Sequence, residues 1–354
     1  MLKISSPSFE YILPVIRGIQ SGREYYVSMC PVRLLPKLFP LDEQETPPEM
    51  RATRTLNRQR VPEIAKYIVN NPKNYIFSAI TASIDANITF EPMGTEAEGR
   101  KIGRLRVPMD GRFIINDGQH RRAALEMALK ENPELGYETI ALILFLDIGL
   151  ERSQQIFADL NRYSVHPDPS LNILYDNRDK YAKIVREVVK QVAVFRSLTD
   201  CDRSTLPTRS SKLFTLNSIY NANLAILANY KDAELESAIA IAARFWNTVS
   251  SNIPDWQQVL CKKVSAGEMR RDYIHSHPTA LTALGATGAT LLSLYPDSWE
   301  NYLAGLAQID WSRFNVDWEG KVLSKSGVSQ SRSSVNFMTA YIKQRLNLPL
   351  AADD

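Results

Sequence analysis

Arg112-Phe-Ile-Ile-Asn-Asp-Gly-Gln-His-Arg-Arg-Ala-Ala-Leu125 runs from a short apolar segment through a polar turn into a helix of small residues. An apolar strand that ends in Asp-Gly and passes into a helical pattern sets the chain direction, and with it the frame of an α/β-type unit. Asp117 is expected to cap the helix by accepting a hydrogen bond from a first-turn amide. Gly118 is expected to permit a tight turn and close approach to its backbone. The positive end of the helix dipole, beside His120, Arg121 and Arg122, suits an anion such as a nucleotide or DNA phosphate. Gln119 reads equally as a base reader or as a group that positions a water. The plainer reading is a capped helix with both arginines on a solvated face.

Outward from this turn the first half of the chain is mixed. Tyr75–Ile84, Arg104–Pro108, Arg112–Asn116 and Ile140–Asp147 have the length and the β-branched or aromatic content of strands. Val61, Ile64, Ala65 and Ile68 fall on one helical face, and Ala123–Leu129 forms the body of a second helix. Gly94–Arg100 is polar with two glycines and reads as a hairpin connection. Beyond Asn161 the pattern becomes helical, over Tyr181–Phe195, Leu213–Asn229, Ala233–Asn247 and Thr279–Leu294. The two prolines of His166-Pro-Asp-Pro-Ser170 stand between these regimes and disfavour a continuous helix. The expected fold is α+β: a mixed domain with a small sheet over 1–165, then a mainly helical domain over 166–354.

The 354 residues and 44% hydrophobic content support two folded cores. The formal net charge is only +3, from 42 Lys plus Arg against 39 Asp plus Glu, so a nucleic-acid role must rest on local clusters. Three scattered cysteines, Cys30, Cys201 and Cys261, fit neither a disulfide framework nor a zinc ribbon. No leader and no membrane-length apolar run is legible, so a cytoplasmic location is expected.

Several stretches carry chemistry. Between residues 51 and 66, Arg51, Arg54, Arg58, Arg60 and Lys66 face one acid, Glu63. Such a strip suits DNA phosphates, and it also suits a solvated basic face. Arg203-Ser-Thr-Leu-Pro-Thr-Arg-Ser-Ser-Lys212 mixes cations with hydroxyls before a helix, which adds Arg209 and Lys212 as DNA-contact candidates. Lys262, Lys263, Arg270 and Arg271 form another basic stretch, and Lys321, Lys325 and Arg332 a last one. Cys30, near Arg23 and Arg33, is a candidate functional thiol if those charges lower its pKa, and a core cysteine otherwise. His275 and His277 have no Cys or acidic companions at ligand spacing, so no metal is expected. Asp176 and Asp179 are too few for a two-metal nuclease, and Arg178 between them suggests local pairing. A nucleotide triphosphatase stays open, with Asp117, His120 or Glu126 as catalytic candidates, although no GxxxxGK[ST] loop is present.

The Asp-Gly-Gln-His-Arg turn with its small-residue helix resembles the element that gives the DGQHR-domain family its name, within the ParB/sulfiredoxin-like superfamily. Arg54–Ile68, Ile156–Asn161, Leu174–Asp179 and Lys212–Leu216 resemble segments of the DndB family of DNA-sulfur-modification proteins, in their expected order. The resemblance spans roughly residues 10 to 340. It implies a bacterial transcriptional regulator, a repressor that binds double-stranded DNA in the promoter region of its own DNA phosphorothioation gene cluster. It also implies nucleotide-phosphate binding at Asp117, Gly118, Gln119, His120, Arg121 and Arg122, which brings a nucleoside triphosphate, ATP or CTP, into view as cofactor. Symmetric operators favour a homo-oligomer, and other DNA sulfur-modification proteins are candidate partners. The alternative is a DNA-stimulated nucleotide triphosphatase or a DNA-processing partner of the modification complex.

Overall fold

The structure is a computed structural model that describes residues 9–40, 56–57, 59–146, 150–162, 167–324 and 327–349. The chain divides into two compact units, Met1–Val165 and His166–Asp354. Each has its own hydrophobic core.

The first unit is built on a seven-stranded mixed sheet in the order β4-β5-β1-β2-β7-β3-β6. The strands are β1 (Glu10–Gln20), β2 (Arg23–Pro31), β3 (Ile80–Asp85), β4 (Thr89–Pro92), β5 (Ile102–Pro108), β6 (Arg112–Asp117) and β7 (Thr139–Leu146). Only β3 and β7 pair in parallel; the other neighbours are antiparallel. The β1–β2 hairpin, absent from the sequence expectation, turns at Ser21 and Gly22, both at positive φ (51° and 74°). Two consecutive positive φ values match the right-handed twist of the flanking strands. The Gly94–Arg100 segment connects the antiparallel strands β4 and β5, as expected of a hairpin connection.

One face of the sheet packs against helices α1 (Leu35–Leu38), α2 (Arg60–Asn70) and α3 (Gln119–Glu131). Val61, Ala65 and Ile68 of α2 and Ala123, Ala124, Leu125 and Ala128 of α3 join Leu105, Val107, Leu142 and Leu144 of the sheet in one core. Helix α4 (Leu150–Arg162) follows β7 and packs against β6.

The second unit is helical: α5 (Pro169–Tyr175), α6 (Lys180–Gln191), α7 (Ala193–Leu198), α8 (Leu216–Ile226), α9 (Leu235–Asn252), α10 (Pro254–Leu260), α11 (Ala266–Asp272), α12 (Pro278–Leu294), α13 (Trp299–Tyr302) and α14 (Arg332–Arg345). Two short ladders, β8 (Thr199–Asp200) with β9 (Phe214–Thr215) and β10 (Leu323–Ser324) with β11 (Gly327–Val328), tie loops together. α12 is the central rod, buried over most of its length between α8 and α14. A Cβ at Gly285 would stand 2.4 Å from the Ala222 carbonyl oxygen of α8, so glycine there sets how closely the two helices pack. Phe195, Phe214, Trp246 and Trp256 form a contiguous aromatic centre, with Phe195–Phe214 and Phe214–Trp256 ring centroids both 5.0 Å apart. Among the described residues no helix is long and apolar enough to cross a membrane.

Candidate nucleotide and nucleic-acid interface

The Asp-Gly turn is positioned by a bulge at the end of the edge strand. Ala82 of β3 lies opposite Ile115 and Thr81 opposite Asp117, so Asn116 is the extra residue on β6. Asn116 is fully buried; its Oδ1 accepts from Ser83 Oγ at 2.9 Å and its Nδ2 donates to the Ser153 carbonyl of α4 at 3.1 Å. A bulge pinned on both sides fixes where the chain leaves the sheet. Gly118 then adopts φ +105° as the N-cap of α3.

Two expectations fail at this turn. Asp117 does not cap α3: the cap residue is Gly118, with no side-chain cap bond, and Asp117 Oδ2 accepts from Arg121 Nη2 at 2.8 Å. One helical turn separates residues four apart, so the guanidinium reaches the carboxylate directly. Nor is Gly118 an open approach to the backbone. It is buried, and a Cβ there would meet Arg121 Nη2 and Ile80 Cγ1, each at 3.0 Å.

The two arginines part company. Arg121 also donates from Nη2 to the Ala79 carbonyl at 3.0 Å, while its Nε has no hydrogen-bond partner among the described residues. Arg122 is neither on a solvated face nor beside a ligand surface: its side chain is 2% exposed and its Nη1 lies 2.6 Å from Glu126 Oε2. Burial lowers the Arg122 pKa from its ordinary value, against the pull of Glu126. Glu126 is thus half of an internal ion pair, turned away from the role of placing a water. Half-buried His120 accepts at Nε2 from the Asn57 amide at 3.0 Å, which ties the turn to the entry of α2; Gln119 is half-buried and bonded. Asp117, His120 and Arg121 therefore share the outer side of the turn, and Arg122 and Glu126 do not.

Arg121 also lines an open groove of about 440 Å³ with Glu63, Ile64 and Tyr67 of α2 and Ile76, Phe77 and Ser78 of the segment before β3. The Tyr67 and Phe77 rings stand 6.0 Å apart at 51°, and Ile76 is 81% exposed. The segment holds its place through side chains: the Ile76 amide donates to Tyr67 Oη at 3.2 Å, and Tyr75 Oη bonds the Glu138 carboxylate. The strand expected over Tyr75–Ile84 accordingly begins only at Ile80. Sequence reading missed the groove; Tyr67, Tyr75 and Phe77 close together were the available signal.

Of the basic strip, Arg60 and Lys66 lie exposed on α2 with Glu63 between them. Arg51, Arg54 and Arg58 lie outside the described residues. In the second unit Arg209 is exposed, whereas Lys212 is half-buried and donates from Nζ to the Ser197 carbonyl at 2.8 Å. Arg270 is structural: it donates to the carbonyls of Pro207 (2.8 Å), Thr208 (3.0 Å), Ser210 (3.2 Å) and Lys212, and so clamps the loop that carries Arg209.

Cys30 is wholly buried in the first core, and burial pushes its thiol up to about 12, so of the two readings it follows the core cysteine and not the thiol lowered by Arg23 and Arg33. Asp176 and Asp179 are turn and cap groups. Asp176 Oδ1 accepts the amides of Arg178 (2.8 Å) and Asp179 (3.0 Å), and Asp179 accepts from the Tyr181 amide (2.8 Å) and Tyr220 Oη (2.5 Å). His275 is buried, accepting at Nδ1 from Trp256 Nε1 at 3.0 Å, with Asp255 Oδ2 3.3 Å from Nε2, while His277 caps α12. Among the described residues no cluster of three or more His, Cys, Asp or Glu is placed to hold a metal ion.

A family model described as DndB, DNA-sulfur modification-associated, matches residues 13–349. No curated protein and no solved structure matches the chain.

Proposed function

On the premise that this chain belongs to the DndB family, whose members are associated with DNA sulfur modification, we propose that it is a DNA-binding repressor of the gene cluster that carries out that modification. The observation that carries the reading is the extent of the match, which runs through both units and not through the Asp-Gly turn alone. Exposed cations supply phosphate contacts: Arg60 and Lys66 from α2, Arg209 from its clamped loop, with Arg51, Arg54 and Arg58 extending the strip in sequence. At the turn, the anion-binding element is the first turn of α3 together with Nη1 of Arg121, which no described residue engages, and the DGQHR and ParB/sulfiredoxin-like resemblance supports a nucleotide or DNA phosphate there.

A two-fold assembly on a symmetric operator fits this role. Ile12, Ile16, Met29 and Ile102, exposed on strands β1, β2 and β5, offer apolar surface for it. A nucleotide triphosphatase using ATP or CTP is the less favoured reading, because of its two water-placing candidates Glu126 is held by Arg122 and His120 is engaged at Nε2 by the Asn57 amide. Contact with other sulfur-modification proteins is compatible with either reading.

The test is a transcriptional reporter fused to the DNA upstream of the gene cluster, in cells with and without the protein. Repression should be present with the wild-type chain and relieved several-fold by the triple variant Arg60→Ala/Lys66→Ala/Arg209→Ala at equal protein level. Reporter output that ignores the protein altogether would sink the repressor reading.

A further inference from the structure

The groove beside the turn has a chemical character distinct from the basic strip. Its two long walls are apolar and aromatic, Ile64 and Tyr67 on one side and Ile76 and Phe77 on the other. At about 440 Å³ it lies in the range of sites that hold small organic ligands. Planar heteroaromatic rings stack on such side chains irrespective of their detailed identity. Its polar lining consists of one carboxylate, Glu63, one hydroxyl, Ser78, and the guanidinium of Arg121. Glu63 forms no ion pair among the described residues, and Arg121 spends Nη2 on Asp117 and Ala79 and buries Nε, which leaves Nη1 as its donor without a hydrogen-bond partner among the described residues. An acceptor on one wall, an open apolar and aromatic surface and an arginine donor at the phosphate-suited turn together describe one ligand class: a nucleotide whose base carries an exocyclic amine.

We infer that this groove is a nucleobase subsite, in which an amine-bearing base lies against the Tyr67–Phe77 pair with its amine toward Glu63 and its phosphate toward Arg121. The inference rests on the proposed phosphate role of the turn and adds the base to it. The base reaches the groove either from a free nucleotide or from an unpaired position in DNA; the chemistry is the same. Glu63 as acceptor favours adenine, cytosine and guanine over uracil and thymine, which present only carbonyls and a ring N–H.

The experiment uses the full chain in two binding arms. The first titrates ATP, CTP, GTP, UTP and inorganic triphosphate by calorimetry. The second compares duplexes carrying one unpaired adenine, one unpaired thymine, or none. Two variants at exposed positions, Ile76→Asp and Glu63→Gln, keep the core intact, which thermal melting checks. In at least one arm the amine-bearing base should bind at least tenfold tighter than its carbonyl-only or base-free control. Ile76→Asp should lose that advantage, and Glu63→Gln should remove the preference for amine-bearing bases. A positive first arm identifies free nucleotide as the source, and a positive second arm identifies DNA. If triphosphate matches every nucleotide and the perfect duplex matches both unpaired ones, or if neither variant changes binding, the subsite does not exist. Perfect-duplex binding separates the two readings. Its persistence without base preference removes the subsite alone, and its absence beside tight nucleotide binding removes the DNA role alone.

Discussion

Arg121 and Arg122 are adjacent in sequence and opposite in fate. Arg121 stays at the surface of the turn with one edge spent, while Arg122 goes under and needs Glu126 as its counterion. Removing one member of a buried pair leaves an uncompensated charge, whereas replacing both by apolar groups is often neutral. Glu126→Ala should therefore lower unfolding free energy by roughly 2–4 kcal/mol, the lower end being favoured because Glu126 is partly in water. The double variant Arg122→Met/Glu126→Leu should recover most of that loss. Urea denaturation of the three proteins checks it, and a double variant no better than the single would refute the buried-pair account. Nothing in the sequence separates the two arginines. Each stands three residues before a position that proves buried, Ala124 and Leu125, so helical spacing sends both inward. Gly118 was legible as the residue of a tight turn, and its φ of +105° fits that, but the close approach differs from the expected one: Arg121 and Ile80, not a ligand, crowd its backbone. Cys30 followed the ordinary rule for cysteine in a core, because its strand partner Ile140 and the neighbouring Leu142 are buried in the same core.

Among the elements, α12 carries a pH-sensitive cap. His277 Nδ1 accepts from the Thr279 amide at 3.3 Å, which requires a neutral ring, and burial together with Arg313 pushes its pKa down from 6.5 to about 4. A base whose pKa falls on folding takes up its proton more readily when unfolded. Its contribution is thus complete above pH 6.5 and disappears as pH falls toward 4, by on the order of 3 kcal/mol at the lower limit. His275, also lowered by burial, adds to the same trend. His277→Asn keeps a capping side chain that does not titrate. Stability measured between pH 7 and 4 should fall less steeply in the variant than in the wild type; equal slopes would place the effect elsewhere. The helices of the second unit were readable because long amphipathic repeats survive packing, as α9 over Leu235–Asn252 illustrates. The segment Tyr75–Ala79 was misread because its aromatic residues look like strand while its bonds go to Tyr67 and Glu138 side chains, a choice that local pattern does not record.

At the scale of the whole molecule, the composition of two regimes around His166-Pro-Asp-Pro-Ser170 gave an α+β architecture with the sheet in the first unit, and the structure has that arrangement. The size of the sheet was underread. Strands β1 and β2 contain Pro14 and Pro31 and lack strict alternation, and only their long-range pairing with β5 and β7 declares them strands. The candidate site was legible as far as the turn, through the strand, the Asp-Gly pair and the cations. The groove was not, since it needs α2, the segment before β3 and α3 brought together from three places in the chain.

The central claim is that this two-unit protein binds specific DNA through exposed cations. It is tested most directly by measuring the affinity of the full chain for the duplex upstream of its own gene cluster and for an unrelated duplex across a salt series. The account predicts upstream binding at least ~10³-fold tighter than unrelated binding. It also predicts a linear log–log salt dependence, with a slope that becomes shallower by about two when Arg60→Ala and Lys66→Ala are combined. Equal affinity for both duplexes, or a slope unmoved by the double variant, would contradict it.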